Sequence, residues 1–156
     1  MPLQDGKSGL YAQLAAQLSS LLAGERDLIA NAANFSSLIF HSLPDLNWAG
    51  FYFVKDDELV LGPFQGRPAC VRIEIGKGVC GTAAANRATT MVPNVHEFPG
   101  HIACDSASNS EIVIPLMKGE RLIGVLDLDS PVTARFNEED AAGLETLVRV
   151  LLSSVR

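Results

Sequence analysis

The stretch EIVIPLMKGERLIGVLDLD, residues 111–129, consists of two apolar segments separated by a short polar turn. Apolar segments of this length between turn residues are typical of β-strands. Lys118 and Gly119 favour a tight connection, so strands 111–117 and 121–129 are predicted to pair as an antiparallel hairpin. We therefore place this hairpin in a mostly antiparallel sheet and interpret the rest of the chain around it.

The acidic residues of this hairpin are predicted to meet. Alternation divides the second strand between two faces: Ile123, Val125, Asp127 and Asp129 on one, and Leu122, Leu126 and Leu128 on the other. The hairpin register places Glu111 near Asp127 and Asp129. Three converging acids need a bound ammonium, a proton shared on a carboxyl of raised pKa, or a metal ion. The alternative is that the strand ends in solvent at Asp129-Ser130-Pro131, which is a typical turn sequence.

A polar loop with reactive side chains precedes the hairpin. Residues 94–110, NVHEFPGHIACDSASNS, contain His96, His101 and Cys104. Rigid scaffolds commonly use such loops to present reactive groups. We interpret the loop as the wall or lid of a small-molecule site with Cys104 as its reactive atom. The two histidines either lower the pKa of this thiol or form hydrogen bonds within the loop.

Two further cysteines and two aromatic residues are candidates for the same site. Cys70 and Cys80 lie in or beside loops, and the cysteine spacing matches neither a CxxC redox pair nor a zinc knuckle. Buried inert thiols, redox chemistry and a zinc site with a histidine all stay open as interpretations. Trp48 and Tyr52 share one face of the predicted strand NWAGFYFV, where they form an aromatic wall or pack in the core.

The remaining pattern predicts an α+β fold with helices against one face of the sheet. A single domain spans residues 1–156, with three parts: a helical N-terminal part at 8–41, a sheet with site loops at 47–129 and a closing helix at 137–154. Ser8 is the predicted N-cap of the first helix, and Leu10, Leu14, Leu18 and Leu21 recur along it at helical spacing. The second helix is predicted to begin near Glu25.

The composition excludes several classes of partner. The net charge is −6, and no stripe of lysine and arginine is present that would neutralise phosphates, so we expect no nucleic acid partner. No apolar run approaches the roughly 18–20 residues of a membrane span, and the N-terminus has no signal-peptide core. We therefore expect no membrane association and a cytoplasmic location.

Three motifs together resemble one known family. GVCGTAA (78–84), NVHEFPGHIACDSASNSEIVIPL (94–116) and GVLDLDSP (124–131) closely resemble the free methionine-(R)-sulfoxide reductases, which are small stand-alone GAF-domain enzymes. The resemblance covers nearly the whole chain and includes all three cysteines. Ordinary GAF sensor domains share the fold and the GVLDLDS-like strand but lack this set of cysteines.

The resemblance implies a role for each candidate residue. Cys104 matches the catalytic cysteine, Cys70 the resolving cysteine, and Cys80 a third cysteine that assists or substitutes in resolution. The substrate pocket of the family is matched by two aromatic residues and three acids: Trp48, Tyr52, Glu111, Asp127 and Asp129. The implied reaction is thiol-dependent reduction of free L-methionine-(R)-S-oxide through a sulfenic acid and an intramolecular disulfide. No cofactor or metal is expected to be bound, and thioredoxin is expected to supply the reducing equivalents.

Two other functions compete with this one. A GAF module that binds a small ligand or senses redox state would have the same fold and no turnover. A structural zinc protein is the third hypothesis. Because the helical flanks of GAF domains often pair, we also expect a homodimer.

Overall fold

The computed structural model describes residues 6–100 and 107–155. His101 and Cys104, two of the predicted loop residues, lie outside this described part. Its strands are β1 (Trp48–Lys55), β2 (Glu58–Gly66), β3 (Arg72–Glu74), β4 (Thr90–Val92), β5 (Ser110–Lys118) and β6 (Arg121–Ser130). They form one sheet in the order β3-β2-β1-β6-β5-β4, and all neighbouring strands are antiparallel. The predicted hairpin is the β5–β6 pair, so the α+β antiparallel prediction is confirmed.

Helices cover both faces of this sheet. They are α1 (Gly6–Leu22), α2 (Leu28–Ser42), α3 (Gly78–Asn86) and α4 (Glu138–Ser154). The three longer helices share one hydrophobic cluster with Phe51, Leu126 and Leu128 of the sheet, as predicted. The other cluster joins α3 to the opposite face, where Trp48 and Tyr52 lie. No helix in the described ranges has the length and apolar character of a membrane span.

A buried carboxylate fixes the closing helix α4 to α1. Asn137 caps α4 in a capping box with Asp140, a pairing that satisfies the first backbone N–H groups of the helix. Asp140 also accepts hydrogen bonds from Lys7 Nζ at 2.6 Å and from the Tyr11 hydroxyl at 2.8 Å. The ring of Tyr11 lies directly against Gly143, where a β-carbon would clash with it at 2.1 Å. Asp140 and Gly143 therefore set how closely α1 and α4 pack.

The predicted helix starts and faces needed correction. Ser8 lies inside α1, which begins at Gly6, so the Ser8 cap is wrong. Helix α2 begins at Leu28 rather than near Glu25, because the side chain of Asp27 accepts from Ala30 N and so caps the helix there. Leu21 is 46% exposed, because Tyr11, Leu14, Leu18 and Leu22 form the buried side of α1.

The alternation predicted for β6 is wrong at its start. Ile123 packs against the cluster shared by the three longer helices, and Leu122 packs against the α3 cluster. The register between β5 and β6 shifts here, since Leu116 pairs with Gly124 and Met117 with Leu122. Ile123 is the extra residue of this β-bulge and has no partner in the register. As a result, Leu122 and Ile123 lie on the faces opposite to those predicted. From Val125 to Asp129 the predicted alternation is confirmed.

Candidate active site

The face of the sheet that carries α3 encloses a cavity of ≈ 50 Å³. Four parts of the chain line it: strands β1, β3, β5 and β6, the loop between β2 and β3, the start of α3 and the segment before β5. Its lining residues are Trp48, Tyr52, Pro68, Ala69, Ile73, Lys77, Gly78, Val79, Cys80, Ser108, Glu111, Asp127 and Asp129. All the predicted site residues in the described ranges except Cys70 therefore line one cavity.

The three acids converge as the hairpin register predicted. Glu111 of β5 pairs directly with Asp129 of β6, and Asp127 lies two residues earlier on the same face. Glu111 is 7% exposed and Asp127 is 5% exposed, so the alternative of a strand ending in solvent is wrong. Burial raises the pKa of Glu111 well above its ordinary value, and the charges of Asp127 and Asp129 raise it further. The cavity thus contains a carboxyl group that loses its proton at a higher pH than an exposed glutamic acid does.

Cys80 is a free thiol within this acidic group. It lies in the first turn of α3, and its Sγ donates a long hydrogen bond of 3.9 Å to Glu111 Oε2. Burial raises the pKa of Cys80, and the charges of Asp127 and Glu111 act in the same direction. Cys80 is therefore held as a neutral thiol, which is a poor nucleophile. Potential metal-donor atoms of Cys80, Glu111 and Asp127 lie within 4.8 Å of one another, close enough to share a metal ion.

The two aromatic residues stack at the cavity wall. The ring centroids of Trp48 and Tyr52 are 5.9 Å apart at an interplanar angle of 24°, and Phe64 also stacks on Trp48, at 5.2 Å. Both residues are almost fully buried, so they belong to the core as well as to the cavity wall. Trp48 Nε1 donates to Arg67 O at 3.1 Å, which satisfies the indole N–H in its buried position.

Cys70 lies in the loop that forms one side of the cavity, and it is disulfide-bonded. A disulfide sulfur cannot act as a thiolate ligand, so this state of Cys70 is incompatible with the hypothesis of zinc bound by three cysteines and a histidine. His96 interacts through its ring with Asn109 Oδ1 at 3.0 Å. This contact supports the hydrogen-bonding alternative for His96.

Three polar residues around the cavity were not predicted from the sequence as site residues. Lys77, the N-cap of α3, and Ser108, before β5, both line it. Asn47 donates from Nδ2 to Ser108 Oγ at 3.0 Å. Lys77 stands between two glycines, Gly76 and Gly78, and this was a signal that its segment approaches a ligand. Ser108 carried no comparable signal, because its loop is rich in serine.

Comparison with known proteins agrees with this description. The GAF domain family model matches residues 9–153. The free methionine-R-sulfoxide reductase of Escherichia coli (strain K12) is 54% identical, over 93% of this chain and 88% of that protein. The fRMsr structure of Staphylococcus aureus in complex with substrate has a TM-score of 0.90 and 49% identity, covering 94% of this chain and 95% of that one. A Burkholderia vietnamiensis protein, provisionally described as a GAF sensor, has a TM-score of 0.93 and 63% identity, with 96% of each chain covered.

The sheet order, the helices on both faces and the family match define the class: the chain belongs to the GAF domain family. The cavity of this chain contains three acids and Cys80, and the identity to the Escherichia coli protein extends over nearly the whole chain. Within the GAF family the chain belongs to the free methionine-R-sulfoxide reductases, which are oxidoreductases.

Proposed function

We propose that this reductase converts free L-methionine-(R)-S-oxide to L-methionine by attack of the Cys104 thiolate on the sulfoxide sulfur. The observation that carries the proposal is Glu111, buried in the cavity beside Asp127 and Asp129, where burial and their charges raise its pKa. Sulfoxide sulfur becomes electrophilic once its oxygen is protonated or strongly hydrogen-bonded. A neutral carboxyl group supplies that proton, and it does so as a general acid.

The charge left on the acids selects the substrate. When Glu111 carries the proton, Asp127 and Asp129 present negative charge to the cavity. A substrate ammonium compensates that charge in a buried site, where an uncompensated carboxylate is costly. Methionine sulfoxide within a peptide has no ammonium, so the free amino acid is preferred. Trp48 packs on the S-methyl group in this arrangement and favours the R epimer.

The sulfur chemistry then proceeds through two cysteines. The sulfoxide oxygen passes to Cys104 as a sulfenic acid, and methionine leaves with the lone pair restored to its sulfur. Cys70 attacks the sulfenic sulfur, forming a disulfide and releasing water. A thioredoxin dithiol returns both cysteines to the thiol state by exchange. The disulfide at Cys70 and the free, neutral thiol at Cys80 support Cys70 as the main resolving cysteine.

The test is a thioredoxin-coupled assay that follows NADPH consumption. Free methionine-(R)-sulfoxide, its S epimer and the N-acetylated R form are supplied separately. We expect turnover with the free R epimer alone and its loss in Cys104→Ser. Equal turnover of the N-acetylated form would remove the ammonium role of Asp127.

The rival function is a GAF module that binds a ligand or senses redox state without turnover. The likeness to the Burkholderia vietnamiensis protein is the observation that favours it. Such a module would keep its ligand affinity in Cys104→Ser and would show no NADPH consumption with any of the three substrates. No turnover by protein with intact free thiols would therefore replace the reductase proposal with this one.

A further inference from the structure

The loop of residues 67–71 is tied to the sheet by hydrogen bonds to its main chain. Trp48 Nε1 donates to the carbonyl of Arg67, and Leu61 N donates to the carbonyl of Val71 at 2.8 Å. Between these two ties, the hydroxyl of Tyr52 donates to the carbonyl of Cys70 at 2.9 Å. The hydrogen bond from the Tyr52 hydroxyl is therefore the one made to Cys70 itself.

We propose that Tyr52 is a positioning residue that fixes Cys70 for attack on the sulfenic sulfur. This inference rests on the proposed function, in which Cys70 is the resolving cysteine. It gives the Tyr52 hydroxyl a task in the second chemical step, separate from the contribution of the Tyr52 ring to the cavity wall.

The surroundings of Tyr52 suit this task. Its side chain is 2% exposed, stacks on Trp48 and extends from β1, a central strand of the sheet. Burial raises the pKa of Tyr52, and the charge of Asp127 raises it further, so the hydroxyl stays protonated and able to donate. In the reduced protein, a Cys70 carbonyl held in this position leaves rotation about the side-chain torsion as the main freedom of Sγ. A reacting atom with little freedom reacts at a high effective concentration.

The step assisted by Tyr52 is balanced within the proposed reaction. The Cys70 sulfur attacks the sulfenic sulfur, the new S–S bond forms and the S–O bond breaks. The departing hydroxide takes up a proton and becomes water. The Cys70 sulfur is oxidised and the sulfenic sulfur is reduced, and the oxidising equivalents come from the sulfoxide.

The experiment compares two steps of one turnover in Tyr52→Phe. The reduced protein is mixed with free methionine-(R)-sulfoxide in the absence of thioredoxin. Rapid quenching measures methionine formation, and dimedone labelling measures the sulfenic acid that has not yet formed a disulfide. Phenylalanine keeps the ring and removes the hydroxyl, and a thermal melt confirms that the variant is folded.

We expect disulfide formation in Tyr52→Phe to slow about fivefold relative to methionine formation, the effect of losing one hydrogen bond. The dimedone-labelled fraction should rise accordingly. The matched control is Tyr11→Phe, which removes the hydroxyl of the other tyrosine of the chain, also buried and also hydrogen-bonded. It should leave the ratio of the two rates unchanged.

Two results would overturn the inference. One is slowing of both steps by the same factor in Tyr52→Phe, which would assign the hydroxyl to the cavity rather than to Cys70. The other is the same change of ratio in Tyr11→Phe, which would make it a general effect of lost stability. Failure of the wild-type protein to form methionine would overturn the proposed function as well, so the two failures are distinguishable.

Discussion

Asp140 and Glu111 are both buried carboxylates, associated with opposite faces of the same sheet, but their surroundings differ. Asp140 pairs with Lys7 at 2.6 Å and with Arg135 at 3.7 Å, and it accepts a hydrogen bond from the Tyr11 hydroxyl. Glu111 faces two other acids, and none of the ion pairs within the described part of the chain includes it.

The two surroundings move the pKa in opposite directions. Burial acts to raise the pKa of Asp140, but hydrogen bonds from Lys7, Asn137 N and Tyr11 outweigh it, and the pKa falls below its ordinary value. Burial and the neighbouring acids raise the pKa of Glu111. The carboxylate form is favoured at Asp140, where it stabilises the fold, and the protonated form is favoured at Glu111. At Asp140 the hydrogen-bond donors outweigh the effect of burial, whereas at Glu111 burial and the neighbouring acids act in the same direction.

The largest expected effect on the free energy of unfolding belongs to Asp140→Asn. The change leaves Lys7 and Arg135 without their buried partner, and breaking a buried ion pair costs about 3 kcal/mol. Urea unfolding should show this loss. Glu139→Gln, an exposed acid one residue away on α4, is the matched control and should change little. Equal losses in both variants would contradict the role given to Asp140.

Glu111→Gln should lower turnover strongly without lowering the free energy of unfolding, the opposite of Asp140→Asn. Glutamine keeps the shape of the side chain but has no acidic proton to give, so kcat/KM should fall about 100-fold. The free energy of unfolding should stay the same or rise, because a buried carboxyl without a cation is removed. Coupled turnover and urea unfolding measure the two quantities. The exposed Glu120, in the β5–β6 turn, provides the control Glu120→Gln. A large loss of stability with unchanged turnover would assign Glu111 to the fold.

The pH dependence of stability should separate the two acids by sign. The folded-state pKa of Glu111 is raised above its unfolded value. Its contribution to the free energy of unfolding is therefore fully present below pH 4.5 and is lost as the pH rises through the folded-state pKa. The Asp140 contribution is present above pH 3.8 and is lost as the pH falls through its lowered pKa. Urea unfolding at a series of pH values measures both contributions. In Glu111→Gln the free energy of unfolding should no longer fall on the alkaline side because of this group. In Asp140→Asn it should no longer fall on the acid side. The slope reaches about 1.4 kcal/mol per pH unit at most.

The smallest effect should come from Lys7→Met. The Lys7 side chain is 33% exposed, so solvent screens its pair with Asp140, and we expect a loss of about 1 kcal/mol. Added salt should reduce the difference from the wild-type protein. Lys55→Met, at an exposed lysine on the end of β1, is the control. A loss as large as that of Asp140→Asn would show that Lys7 alone neutralises the acid.

The sequence predicted the cavity face well where alternation was regular. Trp48 and Tyr52 were assigned to one face of β1, and Glu111 was placed beside Asp129, because a tight hairpin and period-two geometry leave little freedom. The prediction failed at Leu122 and Ile123, where one extra residue shifts the register. The signal that was overlooked is Gly124, because glycine inside a strand often marks a bulge. Period-two alternation assigns side chains to the correct face of a strand only where the pairing with the neighbouring strand has no bulge.

Helix ends and distant contributions to the site were harder to predict. Ser8 was a good cap by residue type, but α1 already begins at Gly6, and Lys7 within its first turn contacts Asp140. Lys77 lines the same cavity as acids that follow it by more than thirty residues, and no local spacing encodes that arrangement. The roles given to Cys70, Cys80 and Cys104 came from resemblance, and they stay predictions until the assays above are done.

The central pair of the sheet has a consequence for synthesis of the protein. Strand β1 lies between β2 and β6, and residue 48 pairs with residue 129 near the far end of the chain. While the ribosome is still making the segments between them, β1 has one open edge, and the first two helices have only part of the surface they will cover. Contacts so distant in sequence form slowly. Asp127 and Asp129 lie on β6, the strand that pairs with this open edge, so the acidic cavity is complete only once the sheet is complete.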